Sequence, residues 1–230
     1  MPRRSRFVAP GFAHHITQRG NNRENVFFSS HDRRRYLEIL AEHAAHNELR
    51  VLAWCLMTNH IHLIVIPPTA ESLARTLGRA HAQYSLEVNR TSERIGHLWQ
   101  NRFFSCVLDR AHLYRAMRYV ELNAARAGLC VEPWRWPWSS AAAHISLAIS
   151  EPLLDWAWTD WLGGWDHQGW KQELSMELPD ADLLLIRRAT AVGEPLGCPE
   201  FVKRLEEQSG RRLRVLPVGR PSKRGQTTFP

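Results

Sequence analysis

Cys55-Leu56-Met57-Thr58-Asn59-His60-Ile61-His62-Leu63-Ile64-Val65-Ile66-Pro67 organises the sequence on either side of it. His60–Ile66 is an apolar, β-branched run and reads as a strand. Pro67-Pro68 ends it, because proline has no N–H to give a ladder. Upstream, Leu49–Met57 reads as a second buried strand, and Thr58-Asn59 as the tight break between the two. Strand side chains alternate between faces, so His60 and His62 point one way and Ile61, Leu63 and Val65 the other. Two imidazoles on one face can share a metal ion. The chain holds 12 histidines, so one His-x-His pair is unremarkable in itself. Its weight comes from its place in an apolar run, where unpartnered imidazoles are unfavourable.

Working outward, Ala13–Gln18 reads as a strand ending in the turn cluster Arg19-Gly20-Asn21-Asn22. Asp32 is placed to cap a helix through Asn47, with Tyr36, Leu37, Leu40 and Ala44 at helical spacing. Ser72 to about Arg90 reads as a helix, Arg102–Leu108 as a strand after Gly96, and Ala111–Ala127 as a helix capped by Asp109 and stopped by Gly128. The order β-α-β-β-α-β-α begins as a ferredoxin-like split βαβ unit. The expected fold class is α+β: an antiparallel sheet with helices on one face, onto which the last helix docks. The expected division is a core over 1–130 and an extension over 131–230, with a Trp-rich satellite core and a basic tail.

The chain has 230 residues, 44% hydrophobic and 23% charged, which is globular composition. Lys plus Arg number 30 against 23 acids, a net +7 that favours a polyanionic partner. No apolar run approaches the ~20 residues of a membrane-spanning helix, and no signal-peptide core follows the basic start, so no membrane partner is expected. Cys55, Cys106, Cys130 and Cys198 are scattered without a C-x-x-C pair, so the expected compartment is a reducing cytoplasm.

A second chemical pattern lies in Arg118-Tyr119-Val120-Glu121-Leu122-Asn123. Tyr119 and Asn123 are four apart and share a helical face. Tyrosine is a candidate nucleophile and the Asn carbonyl oxygen a candidate metal ligand. A core tyrosine with its hydroxyl at the rim is the plainer alternative. Tyr114 lies about 140° around the helix from Tyr119 and does not share its face. Tyr36 and Tyr84 read as core.

Several segments in order resemble the single-tyrosine HUH transposases, specifically the REP-associated branch of the IS200-like group. They are His15-Ile16-Thr17-Gln18-Arg19-Gly20-Asn21-Asn22-Arg23, the strand pair from Trp54 to Pro67, Leu98-Trp99-Gln100-Asn101-Arg102-Phe103, Arg118 to Asn123, Trp138-Ser139-Ser140, and Gly219-Arg220-Pro221-Ser222-Lys223. The resemblance covers roughly residues 7–145. It implies that Tyr119 is the nucleophile, that His60, His62 and Asn123 are metal ligands, and that the ion is Mg²⁺, with Mn²⁺ able to substitute. It implies cleavage and rejoining of hairpin-containing single-stranded DNA through a 5′-phosphotyrosine, on palindromes of the REP type, in a nucleoid-associated protein acting as a monomer or a homodimer. Relatives commonly carry proline after the Asn123 position. Here Ala124 follows, so the helix is expected to run on regularly past Asn123.

Arg19, Asn21, Asn22 and Arg23, with Gln100 and Arg102, are candidate DNA contacts, as is the arm Arg3, Arg4 and Arg6. An ordinary solvated turn is the alternative for the first group. The run from Arg211 to Arg224 carries no acid and suits nonspecific backbone binding. Two other functions compete. His15-Ile16-Thr17 resembles one motif of the histidine phosphoesterases, which would act without metal or covalent adduct, but a second such motif is missing. A non-catalytic hairpin-binding protein would bind without cleaving.

Overall fold

A computed structural model describes residues 6–146 and 151–214. The order is β1 Ala13–Arg19, α1 Ser30–His46, β2 Arg50–Leu56, β3 His60–Ile66, α2 Ser72–Thr91, β4 Phe104–Leu108, α3 Arg110–Glu121 and α4 Asn123–Arg126. Then come α5 Ala141–His144, α6 Trp158–Leu162, α7 His167–Ser175, α8 Asp180–Val192 and α9 Pro199–Ser209. Among the described residues the four strands form one antiparallel sheet in the order β2-β3-β1-β4, the ferredoxin-like arrangement the sequence predicts.

The α1 cap differs from expectation. Ser29, not Asp32, is the N-cap, and its side chain accepts from Asp32 N. Asp32 returns the bond from position N3, accepting from Ser29 N at 2.8 Å. This reciprocal capping box satisfies two N-terminal donors at once, which Asp32 as the cap would not do.

Strand alternation divides the core into two faces. Ile16, Trp54, Leu56, Ile61, Leu63 and Val65 pack with Tyr36, Ile39 and Leu40 of α1 and Leu73, Leu77 and Tyr84 of α2. Ala53, Cys55, Ile64, Ile66, Cys106 and Leu108 face the other way, against Leu113, Ala116, Met117 and Val120 of α3. The first two helices therefore share one face, as expected, and the docking helix takes the opposite one. A bulge between Val51 and Ala53 sets Leu52 and Ala53 on the α3 side together.

The Trp-rich segment does not build a satellite. Trp158 and Trp170 lie wholly buried in the same cluster as Cys55 and Met117. The reason is a polar anchor inside that cluster. The buried Glu121 carboxylate accepts from Trp170 Nε1 at 2.8 Å, from His144 Nδ1 at 2.6 Å and from the Ser140 hydroxyl. A buried carboxylate requires such partners, and they come from two elements of the extension, α5 with its N-cap Ser140 and α7.

The extension also covers both sheet edges. Ser140 N donates to Trp54 O and Asp155 N to Val51 O along β2, while Leu196 N donates to Val107 O along β4. These bonds remove the open ladders that invite edge-to-edge pairing.

Candidate active site

Strands β1, β3 and β4 and helices α3, α4 and α8 bring one cleft together on the α3 face. β3 supplies His60 and His62, and β1 lies beside it with Thr17 opposite His62 and Arg19 opposite His60. Directly opposed residues in an antiparallel pair point to the same side, so His15, Thr17 and Arg19 join the histidines. α3 lays Tyr119 across them. Its ring centre is 5.5 Å from that of His15 and 5.4 Å from that of His62, edge-on to both. α8 closes the far side with Arg187 and Thr190, and the cleft encloses about 630 Å³.

The helix breaks where the sequence reading expects it to run on. α3 ends at Glu121, Leu122 has ψ −7°, and α4 starts at Asn123. The break lets Leu122 and Ala124 both enter the apolar cluster while Asn123 lines the cleft. Gly128, at φ +71°, ends the segment as expected, since its left-handed conformation suits glycine.

The imidazoles are held neutral. Burial, then Arg19, pushes His60 down to about 4. Burial, then its neighbours His60, His15, Arg19 and Arg126, holds His62 well below the ordinary range. Burial alone takes His15 to about 3. The hydrogen bond to Asn59 selects the tautomer of His60. His60 Nδ1 donates to Asn59 Oδ1 at 2.6 Å, which leaves Nε2 as the lone-pair nitrogen. His62 Nδ1 lies 2.9 Å from His15 Nε2, and His15 Nδ1 lies 2.7 Å from Thr190 Oγ1. If each Nδ1–H donates along this row, His62 Nε2 is likewise left unprotonated.

Two polar groups in the cleft are buried without a partner: Asn123 Nδ2 and Arg126 Nη1. Rotating the Asn123 amide exchanges its ends, so its oxygen can take the unpartnered position. Two neutral imidazoles and one amide oxygen are an acceptable donor set for a divalent ion. Among the described residues no cluster of three His, Cys, Asp or Glu offers an alternative.

The remaining candidates separate. Arg19 and Gln100 line the cleft, and Gln100 N donates to Arg19 O at 2.8 Å. Asn21, Asn22 and Arg23 form a 3-10 turn outside the cleft lining, with Asn22 and Arg23 exposed and at positive φ. Gly20 permits that turn, since a Cβ there would sit 2.3 Å from Glu24 O. Arg6 and Arg102 line a different pocket. Arg3 and Arg4 lie outside the described residues, as does the tail beyond Arg214. Tyr114 points away, bonded to Glu173 and stacked on Trp165, while Tyr36 and Tyr84 are buried against α1 and α2 neighbours. Tyr119 is thus the one tyrosine in the cleft lining. Sequence reasoning missed Arg126, whose guanidinium lies 5.2 Å from the Tyr119 ring centre, and with it Arg187 and Thr190. Arg126 carried a readable signal, seven residues beyond Tyr119 and so two turns along the same face.

No helix among the described residues is long and apolar enough to cross a membrane. A search of curated proteins gives no match. Among solved structures the chain resembles a REP-associated tyrosine transposase bound to a REP hairpin, at 16% identity and TM-score 0.54, over 67% of this chain and 92% of that one. A protein described as a transposase from Deinococcus radiodurans R1 also matches, at 17% identity and TM-score 0.38, over 52% of this chain and 96% of that one. The family model for "Transposase IS200 like" matches residues 10–123, the stretch that contains the whole sheet, Tyr119, both cleft histidines of β3 and Asn123. Through those residues the chain belongs to the IS200-like transposase family.

Proposed function

We propose that this transposase cuts and rejoins hairpin-containing single-stranded DNA by transesterification, with Tyr119 as the nucleophile. The observation that carries the reading is the meeting of Tyr119 with His15, His60, His62 and Asn123 in one cleft that, among the described residues, is lined by arginines and by no acid. In cleavage, the Tyr119 oxygen forms a bond to the scissile phosphorus and the bond from phosphorus to the 3′ oxygen breaks. The tyrosine loses its hydroxyl proton and the departing 3′ oxygen gains one. The 5′ phosphate stays on the protein. A 3′-hydroxyl from another strand reverses the step, and each exchange conserves the number of phosphodiester bonds, so no nucleotide need be hydrolysed.

Arg19, Arg126 and Arg187 supply positive charge for the phosphate. His60, His62 and Asn123 would hold Mg²⁺, or Mn²⁺ with its greater liking for nitrogen. Such an ion would polarise a non-bridging phosphate oxygen when bound. The exposed turn Asn21, Asn22 and Arg23 is suited to contact the DNA outside the cleft. The hairpin preference rests on likeness to a structure described as bound to a REP hairpin.

The test is a labelled hairpin oligonucleotide with divalent metal, resolved on a denaturing gel beside Tyr119→Phe. A covalent protein–DNA band that disappears in the variant and with chelator is the expected result. Product without a covalent band, formed equally by Tyr119→Phe, would overturn the tyrosine mechanism and favour a histidine phosphoesterase.

A further inference from the structure

A second pocket of about 350 Å³ adjoins the cleft and shares Phe104 and Ala191 with it. Four arginines line it: Arg6 ahead of β1, Arg102 just before β4, and Arg211 and Arg212 after α9. No acid lines it. Arg211 Nη1 donates to Arg6 O at 3.4 Å, a bond that spans 205 residues of sequence. Distant segments thus bring like charges together, which is unfavourable unless an anion is present. The effect is visible on Arg6. Its guanidinium is half-buried over Phe103, 3.6 Å from the ring centre. Burial, then the nearby Arg102, lowers it to about 10.

Phe104 stands at the junction of the two cavities. It begins β4 yet is 45% exposed, an apolar ring left in water where a strand leaving the cleft would pass. Every base has a π-face, so an exposed ring suits unpaired nucleotides of any sequence. The pocket volume takes one nucleotide-sized group, not a duplex.

We propose that this arginine pocket binds the phosphodiester backbone of the single-stranded flank of the DNA substrate, with Phe104 stacking on a base between the pocket and the cleft. The assignment rests on the strand-cleavage reading above for its substrate class. It goes further in giving the strand a path and in giving Arg211 and Arg212, remote in sequence from the sheet, a share in holding it.

The experiment uses the full chain carrying Tyr119→Phe, so that binding is read without cleavage, and a fluorescent oligo(dT) of about 12 nucleotides. Anisotropy is followed across a salt series. Arg102 and Arg212 are both exposed, so R102E/R212E should fold normally, and a thermal melt checks it. The double variant should bind about 10-fold more weakly near ~0.1 M salt, with a salt slope smaller by about 0.7 for each phosphate no longer neutralised. F104A should weaken binding about 5-fold while leaving the slope unchanged, because stacking releases no counterions. R102E/R212E binding with unchanged affinity and slope would overturn the pocket. Covalent adduct formation by protein with Tyr119 intact, on a hairpin substrate, tests the cleavage reading separately. An adduct together with unchanged affinity and salt slope for R102E/R212E removes only the pocket. Arginine-dependent binding with no adduct keeps the pocket as a strand-binding site and removes the cleavage.

Discussion

The two faces of the sheet solve different problems with the same strands. On the α1/α2 face, alternating Ile16, Ile61, Leu63 and Val65 meet apolar helix stripes, and the tyrosine hydroxyls there are paired, while Trp54 and Trp99 bury their Nε1 without a partner. Tyr36 Oη and His81 Nε2 lie 3.0 Å apart, and Tyr84 Oη donates to Val26 O at 2.7 Å. On the α3 face the same alternation delivers His15, Thr17, Arg19, His60 and His62, and polar groups there stand without partners. One face carries stability, and the other carries the proposed chemistry, whose imidazoles take support from the extension. What distinguishes the α3 face is the gathering of imidazoles, arginines and a tyrosine in one cleft.

The sharpest way to break this contrast is to delete a hydroxyl on each face. Tyr119→Phe should abolish the covalent adduct, a loss of at least ~10³-fold, or about 4 kcal/mol of barrier. Tyr36→Phe and Tyr84→Phe should form the adduct at the wild-type rate on the same gel. If all three variants behave alike, the division fails. Glu121→Ala comes next, since it leaves Ser140, His144 and Trp170 without their acceptor. A loss of about 3–5 kcal/mol is expected in urea unfolding, against about 1 kcal/mol for Tyr84→Phe.

Acid sharpens the comparison from the apolar side. Burial holds His14 at about 4 and, with Arg6 as a lesser cause, His81 at about 3. His14 Nδ1 donates to Phe12 O at 2.8 Å while Nε2 accepts from Ala9 N at 3.2 Å, an arrangement only the neutral ring can make. The unfolded chain takes up these protons near pH ~6.5 and the folded chain does not. Stability should therefore be full above about pH 6.5 and fall as pH drops toward about 4, by on the order of 3 kcal/mol for each histidine. A melting temperature flat between pH 7 and 4, by calorimetry, would contradict this. The smallest expected effect is on metal affinity. Thr190→Val removes the oxygen that faces His15, and Mn²⁺ should bind about 10-fold more weakly by electron paramagnetic resonance. Tyr36→Phe should leave that affinity unchanged.

How much of this was legible follows the same divide. The sheet order could be read because strand and helix periods are local properties of the sequence. His60 and His62 could be paired from alternation, and Tyr119 with Asn123 from the helical repeat. His15 needed the β1–β3 register as well. Thr190 and Arg187 had no local signal, because their place depends on how α8 docks. The break at Leu122 escaped a reading based on proline, since it answers to where Leu122 and Ala124 must be buried. The tryptophans could be counted, but the carboxylate that draws Trp170 inward sits 49 residues earlier.

The hydrogen bond between His15 and Thr190 spans 175 residues of sequence. It has a consequence for the protein during its own synthesis. Every strand of the sheet and the tyrosine helix leave the ribosome before α8 exists. A nascent chain can assemble its fold and still lack the hydroxyl that orients the row of imidazoles. The proposed cutting centre is thus complete only after Thr190 has been added and α8 has docked, so translation products that stop short of α8 carry the tyrosine without its finished surroundings.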